Sequence, residues 1–175
     1  MNLVLIGYRG TGKSTVARLL AEKLHWPWFD ADQQIEARAG MSIARIFSEQ
    51  GEPAFRDWES QVVADLAQRE RCVLALGGGA VMRPANREIL ARQGKIVWLK
   101  ASPEMLWKRI QHDLSTAERR PNLTSQGGIT EIIATLDARN PIYRECAQWE
   151  VDTQGMTPEQ VADAIVAHWN LGETG

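Results

Sequence analysis

A glycine-rich loop close to the start of the chain limits the possible folds more than any other feature. Residues 7–14 read Gly-Tyr-Arg-Gly-Thr-Gly-Lys-Ser and fit the pattern G-x-x-x-x-G-K-[ST] in full. The apolar run 3–6 precedes the loop, and residues 13–24, with apolar positions at helical spacing, follow it. Because the pattern carries meaning only between a strand and a helix, the sequence predicts a strand, a tight loop and a helix in that order.

The residue types of this loop suit the binding of a nucleotide phosphate. Its glycines let backbone N–H groups turn inward, and the following helix directs its positive end to the same place. Lys13 is expected to bridge the β- and γ-phosphates, and Ser14 to bind Mg²⁺. The alternative, a chance turn with an exposed lysine, is disfavoured because motif and context are both present. The expected ATP-binding residues here are Gly10, Thr11, Gly12, Lys13, Ser14 and Thr15.

The rest of the chain alternates apolar runs with helical patterns. Four more short strands are predicted, at residues 28–29, 72–76, 96–99 and 149–151. Helices are predicted between them, one at 56–68 and another closed by Gly94. This alternation predicts one α/β domain over residues 1–175, with a parallel sheet and helices on both faces. Ligands of such sheets bind beyond the C-terminal ends of the strands.

Composition and charge exclude several kinds of partner. Lys and Arg number 20 against 22 Asp and Glu, a net charge of −2, which does not predict a nucleic-acid-binding surface. No stretch approaches the roughly 20 apolar residues of a membrane span, and the first residues lack the basic region of a signal peptide. Cys72 and Cys146 make neither a metal spacing nor a disulfide framework. We expect a cytoplasmic protein that binds neither nucleic acid nor membrane.

Two groups of residues follow predicted strands and fall beside the loop. Asp30 and Asp32 place two carboxylates at one strand end, an unfavourable arrangement unless cations or donors accompany them. Mg²⁺ and a polyol hydroxyl would supply both, whereas the alternative is a helix-capping Asp beside an exposed one. The run 77–79 is three glycines, typical either of a tight turn or of close approach by a ligand.

Arginines supply the remaining candidates, and each has a plain structural alternative. Arg56 stands at the start of the helix predicted at 56–68, and the alternative for it is an ordinary surface residue. Arg119 and Arg120 lie in the long polar stretch 112–128, a length typical of functional or mobile loops, or are simply a solvated pair. Arg139 and Arg144 lie in the segment predicted to end the next helix, and the alternative for them is to interact with the last carbonyl groups of that helix.

A phosphate-binding loop alone also fits a GTPase switch or a motor ATPase. The chain has no Asn-Lys-x-Asp motif for reading guanine, and its third predicted strand ends in glycines rather than an acidic residue. These two absences from the sequence favour a small-molecule kinase.

Taken together, the motifs resemble those of the shikimate kinases over roughly residues 2–167. They are the phosphate-binding loop, the D-x-D of 30–32, the G-E-P-x-F-R of 51–56, the triple glycine, the R-P of 120–121 and the R-x-P-x-Y of 139–143. The resemblance implies a three-layer α/β/α nucleoside-monophosphate-kinase fold with a five-stranded parallel sheet. It also implies a mobile lid at about 112–128 and substrate-binding helices at about 32–62. The implied reaction moves phosphate from ATP to the 3-hydroxyl of shikimate, in aromatic amino-acid biosynthesis.

The resemblance further implies a role for each matching residue. Asp32 would orient or activate the acceptor hydroxyl, and Asp30 would hold Mg²⁺ together with Ser14. The carboxylate of shikimate would be clamped by Arg56 and Arg139. Arg120, or its neighbour Arg119, would meet the ATP phosphates from the lid. Of the rest, Gly77, Gly78 and Gly79 would contact the substrate, Arg109 would lie near the adenine, and the enzyme would be a monomer.

Three rivals stay open from the sequence. Gluconate kinase is the nearest, because it is also a small enzyme of this class with an acidic polyol substrate. A nucleoside monophosphate kinase would need a pocket for its base rather than an arginine pair and a triple glycine. A degenerate ATP-binding sensor would retain the loop without turnover.

Overall fold

The computed structural model of the chain describes residues 1–113 and 127–171. Its centre is a five-stranded sheet in which each recorded strand pairing is parallel. The strands run in the order β2-β3-β1-β4-β5, so the first strand of the chain lies in the middle. Their bounds are β1 Asn2–Ile6, β2 Trp28–Asp30, β3 Val73–Ala75, β4 Gly94–Lys100 and β5 Trp149–Asp152. The predicted five-stranded parallel sheet is therefore confirmed.

Helices connect the strands and cover both faces of the sheet. Seven α-helices are present in the described residues, together with a short 3₁₀ helix at Ala80–Met82. Their bounds are α1 Lys13–Leu24, α2 Ala31–Ala39, α3 Ile43–Ala67, α4 Pro84–Gln93, α5 Pro103–His112, α6 Gly128–Cys146 and α7 Pro158–His168. The helix predicted at 13–24 coincides with α1, which confirms the strand–loop–helix order around the glycine-rich loop.

Alternating residues of β1 supply the two halves of the core. Val4 and Ile6 face one side and join the cluster that includes α2, α3 and α4 residues. Leu3 and Leu5 face the other side and pack among residues of α1 and α7. Side chains point to opposite faces at successive strand positions, so an unbroken apolar run is what a strand covered on both faces requires. Because β1 is the central strand, the loop that starts at residue 7 lies in the middle of the row of C-terminal strand ends.

Side-chain caps mark the start of several helices. Ser42 accepts a hydrogen bond from the Arg45 N–H at the start of α3. Thr157 and Gln160 form a capping box at α7, with Pro158 at the first helical position. Local side-chain chemistry therefore stabilises these starts.

Other boundaries differ from the sequence-based expectation. The helix predicted to begin at residue 56 is part of α3, which starts at Ile43 and bends at Gly51, where φ is 83°. Gly94 ends α4 as predicted, since its N–H bonds to the Leu90 carbonyl, but its φ of −160° is extended rather than left-handed and makes it the first residue of β4. In addition, α6 continues to Cys146, so Arg139 lies inside the helix instead of capping its end. In the described parts of the chain no helix is both long and apolar enough to cross a membrane.

Candidate functional site

A pocket of about 370 Å³ opens at the sheet edge where the parallel strands end. The glycine-rich loop, the first turn of α2 and the turn after β3 all contribute to its wall. This is where a sheet of this topology binds ligands. The predicted residues that line it are Gly10, Gly12, Lys13, Ser14, Thr15, Asp30, Asp32, Gly77, Gly78 and Arg109.

The glycine-rich loop wraps tightly around its own lysine. At Gly7, φ is +139°, and a Cβ there would lie 2.4 Å from the carbonyl oxygen of Leu99. Only glycine fits so close to β4 in that conformation. The Lys13 Nζ donates to the carbonyl oxygens of Gly7, at 2.7 Å, and of Tyr8, at 2.8 Å. The loop thus holds the ammonium group at the pocket wall, where a phosphate chain would meet it.

The two carboxylate oxygens of Asp30 meet different partners. Its Oδ1 accepts from the backbone N–H groups of Asp32, at 2.9 Å, and Gln33, at 3.2 Å, which caps α2. Its Oδ2 accepts from the Ser14 hydroxyl at 2.5 Å. The helix cap considered for Asp30 is therefore present, its second oxygen lies against Ser14, and Mg²⁺ binding by Asp30 stays a prediction.

The paired oxygens of Ser14 and Asp30 suit a hard cation. Mg²⁺ binds oxygen ligands and is commonly held by one or two protein groups together with substrate phosphates. Residues 1–113 and 127–171 contain no cluster of three or more Asp, Glu, His or Cys side chains that could hold a metal. The oxygens of Ser14 and Asp30 alone fit a Mg²⁺ ion that takes further ligands from phosphates.

Arg56 is not the surface residue that its sequence position also allowed. Its side chain is 15% exposed, and Nη1 lies 3.0 Å from Oε1 of Glu59, whose side chain is 2% exposed. Nη2 lies 3.1 Å from Oε1 of Glu52. These partners stand three residues after and four before Arg56, on the same helix face. The guanidinium group is therefore oriented by carboxylates of its own helix, which the sequence interpretation had not singled out.

The triple glycine is where the two predicted arginines meet. A Cβ on Gly79 would lie 2.3 Å from Nη1 of Arg56. A Cβ on Gly78 would lie 3.0 Å from Nη1 of Arg139, which reaches the turn from α6. Arginines 83 positions apart in the chain thus approach one bare stretch of backbone. This close approach explains why side chains are missing there.

A second pocket, of about 200 Å³, adjoins the first and shares Gly10, Gly12, Thr15 and Arg109 with it. Arg109 spans it, since Nη1 donates to the Gly10 carbonyl at 3.3 Å and to the Thr153 Oγ1 at 3.2 Å. Met156, Pro158 and Val161 add apolar wall. This arrangement suits a flat base whose phosphates reach the loop, and the adenine contact expected of Arg109 stays a prediction. Thr153 and Met156 were not individually predicted.

Arg9 is a further residue of the pocket that sequence reasoning missed. It stands at a variable position of the glycine-rich pattern, so the pattern carries no signal for it. Its Nη2 lies 3.5 Å from Oε1 of Glu131, a carboxylate whose side chain is 1% exposed in α6. The pair ties the loop to the helix that carries Arg139. The predicted Arg119 and Arg120 lie outside the described residues.

The two cysteines belong to the packing, as their spacing indicated. Burial raises the pKa of the Cys72 thiol and of the Cys146 thiol. Both thiols therefore stay protonated at neutral pH, which makes them poor nucleophiles and poor metal ligands. Neither lines the two pockets.

Comparisons with known proteins agree with this geometry. The family described as shikimate kinase matches residues 9–170. A shikimate kinase of Rhodopirellula baltica is 43% identical over 165 residues, which is 94% of this chain and 88% of that protein. One from Burkholderia thailandensis is 44% identical over 153 residues, 87% of this chain and 81% of that protein. A solved shikimate kinase from Acinetobacter baumannii, in complex with shikimate, superposes with a TM-score of 0.91 at 34% identity, covering 99% of this chain and 95% of that one.

Proposed function

Because the chain belongs to the shikimate kinase family, we propose that it moves the γ-phosphate of ATP to the 3-hydroxyl of shikimate, giving ADP and shikimate 3-phosphate. The observation that carries this proposal is the meeting of Arg56 and Arg139 at the triple glycine, whose Gly77 and Gly78 line the pocket together with Asp32 and Lys13. An acidic acceptor with ring hydroxyls matches this combination of cations, carboxylate and bare backbone. The reaction belongs to the synthesis of aromatic amino acids.

In this proposal the two arginines hold the carboxylate of shikimate. A guanidinium group pairs with a carboxylate through two parallel hydrogen bonds, which fixes the direction of the bound acid as well as its position. Glu59 and Glu52 keep Arg56 in one orientation before the acceptor arrives. The acceptor ring then extends from the arginines toward Asp32, past Gly78 and Gly79.

Asp32 orients the hydroxyl that attacks. It lies in the first turn of α2, immediately after the strand that ends at Asp30, and lines the same pocket as Lys13. A carboxylate within hydrogen-bond reach of a hydroxyl can direct its lone pair in line and accept its proton as the bond to phosphorus forms. Most of the catalysis then comes from positioning and from stabilising charge.

Positive groups stabilise the charge on the transferring phosphoryl group. Lys13 stands at the glycine-rich loop, where its ammonium group can move from the loop carbonyls to the β- and γ-phosphates. Ser14 and Asp30 would hold Mg²⁺, and the metal would neutralise phosphate charge. Arg109 and the second pocket take the adenosine end of ATP.

A lid at about 112–128 and substrate-binding helices at about 32–62 complete the proposed domain of residues 1–175. Arg120, or Arg119 beside it, is assigned to the ATP phosphates from the lid. Exclusion of water is the purpose of such a lid, because water competes with the acceptor hydroxyl for the phosphoryl group. We further propose a cytoplasmic monomer that acts on small molecules and binds neither nucleic acid nor membrane.

The direct test is ADP release from Mg-ATP by the purified protein, with shikimate, gluconate, AMP or no acceptor. The proposal predicts turnover with shikimate and background rates otherwise. Turnover with gluconate or AMP instead would keep the kinase class but overturn the roles of Asp32, Arg56 and Arg139. ATP binding without turnover on any acceptor would favour a sensor.

A further inference from the structure

Tyr143 makes a contact that the proposed mechanism does not use. It is fully buried in α6, and its hydroxyl donates to the carbonyl oxygen of Gly78 at 2.5 Å. Arg139 stands one helical turn earlier on the same face and approaches the same glycine. One face of α6 therefore presents both a cation for the substrate and a hydroxyl for the backbone beside it.

The contact fixes the orientation of a whole peptide group in the glycine turn. The peptide that joins Gly78 to Gly79 is trans, so its carbonyl and its N–H point in opposite directions. With the carbonyl held against Tyr143, the Gly79 N–H is directed away from α6. Within residues 1–113 and 127–171, no protein acceptor takes up this N–H, whereas the N–H groups of Ala80 and Met82 bond to Gly77 and Gly79 carbonyls.

A turn of three glycines needs such an anchor. Glycine lacks the Cβ that would restrict φ and ψ, so the peptide plane between two glycines rotates at low cost. Tyr143 is well suited to prevent this, because its ring is packed in the core and lies 5.5 Å from the ring of Trp98. A rigid aromatic ring thus carries the hydroxyl that meets the flexible turn.

We propose that Tyr143 is a positioning residue, whose hydroxyl holds the Gly78 carbonyl so that the Gly79 N–H faces the acceptor. The inference rests on the proposed function and deepens it, since it assigns the acceptor side of the site a fixed backbone donor. The guanidinium group of Arg56 also lies against Gly79, so the proposed donor and this cation are neighbours in the site.

The test is Tyr143→Phe, which keeps the ring and removes one oxygen. We expect the KM for shikimate to rise about five- to tenfold, the effect of losing one well-placed hydrogen bond, while the KM for ATP stays within about twofold. Calorimetric titration with shikimate, without nucleotide, should show the same loss of affinity. A purely structural hydroxyl would instead lower the thermal midpoint and leave both constants for shikimate unchanged, which would overturn the inference.

Asn2→Ala is the matched control. Asn2 is buried at the N-terminal end of the central strand β1, away from the site, where Nδ2 donates to the Arg69 carbonyl at 2.7 Å and Oδ1 accepts from the Cys72 N–H at 3.3 Å. Its loss should lower the thermal midpoint without changing the KM for shikimate. An equal rise of that KM in Asn2→Ala would show that stability alone controls it, and would contradict the positioning role.

A measurement on the unaltered protein covers the case in which Tyr143→Phe does not fold. In protein labelled with ¹⁵N-glycine, shikimate should shift the assigned Gly79 amide resonance, and absence of any shift would overturn the inference. The proposed function fails separately, if the unaltered enzyme does not phosphorylate shikimate. Normal turnover by the unaltered enzyme, with unchanged shikimate constants in Tyr143→Phe, would remove this inference alone.

Discussion

Asp30 and Asp32 stand two positions apart in the chain, yet their carboxylates lie in different surroundings. The Asp30 carboxylate is divided between the cap of α2 and the hydroxyl of Ser14. Asp32 is left on the pocket side of the same helical turn. The sequence could place both carboxylates at the end of a strand, because strand ends are marked by a change from apolar to polar residues. Which oxygen meets which donor depends on the loop and on the helix start, and only the structure shows that.

Replacing Asp32 with Asn should lower kcat by about 100-fold or more, because the amide cannot accept the hydroxyl proton. The fold should be unchanged, since the Asp32 N–H that helps cap α2 belongs to the backbone. Initial rates at saturating shikimate and ATP measure the loss, and circular dichroism checks the fold.

Asp163→Asn is the control for this prediction. Asp163 is 65% exposed and pairs with Lys23 on the surface, so its replacement should leave kcat unchanged. Equal rates for Asp32→Asn and Asp163→Asn would contradict the role of Asp32.

Arg56→Ala should weaken shikimate binding by about 2–4 kcal/mol, roughly 30- to 700-fold in KM, with a small effect on the KM for ATP. The size of the loss follows from burial, because the change also leaves Glu59 without its arginine in a nearly dry position. Steady-state kinetics with each substrate varied in turn would separate the two constants.

Arg83→Ala removes a similar ion pair from the surface near the same helix. Its partner Asp57 is 67% exposed, and pairs of that kind contribute little. A comparable rise of the shikimate KM in Arg83→Ala would show that α3 as a whole had been disturbed.

At the level of elements, the turn that follows β3 organises the acceptor side of the site. Its three glycines were a weak sequence signal, because any tight turn can use glycine. The structure shows a different requirement, which is space for the guanidinium groups of Arg56 and Arg139. Sequence patterns find helices and strands from their own periodicity, but this turn is shaped by two helices distant in the chain. The end of α6 shows the contrast, because it was predicted over 139–144 and the helix ends at Cys146, with Arg144 in its last turn.

Gly79→Ala tests this requirement. The added methyl would meet Arg56 at 2.3 Å, although the Gly79 backbone, with φ of −95°, accepts alanine without strain. The arginine must therefore move, and we expect a rise of at least about tenfold in the KM for shikimate, with thermal stability nearly unchanged. Kinetics and a thermal melt of the same preparation provide both readings.

Gly94→Ala is the control, and we expect the opposite pattern, a loss of stability without a change in shikimate binding. A Cβ there would lie 2.8 Å from the backbone oxygen of Asn2, far from the site, so the thermal midpoint should fall and the KM for shikimate should not change. If Gly79→Ala behaved like Gly94→Ala, the glycine turn would be a matter of packing alone.

For the whole molecule, alternation of buried strands and amphipathic helices was enough to predict the three-layer architecture. A parallel sheet covered on both faces has few alternatives for such a chain. Length and polarity of 112–128 led to the lid hypothesis, which concerns residues mostly outside the described ranges. The match to the shikimate kinase family agrees with the predicted small-molecule kinase.

We expect the protein to be a monomer in solution. In the described ranges, the large hydrophobic side chains that stand exposed are Met1 and Ile133, which are too few for an extensive apolar interface. Sedimentation equilibrium should give a mass close to 19.6 kDa over a wide concentration range. A stable dimer at low micromolar concentration would contradict this expectation.

The most direct test of the central claim follows the phosphorus atom itself. The protein is incubated with shikimate, Mg²⁺ and ATP labelled in the γ-phosphate, and the products are separated. The account predicts that the label appears in shikimate 3-phosphate in equal amount to the ADP formed, with little inorganic phosphate. Label recovered mainly as inorganic phosphate, whether or not shikimate is present, would make the protein an ATPase and contradict the account.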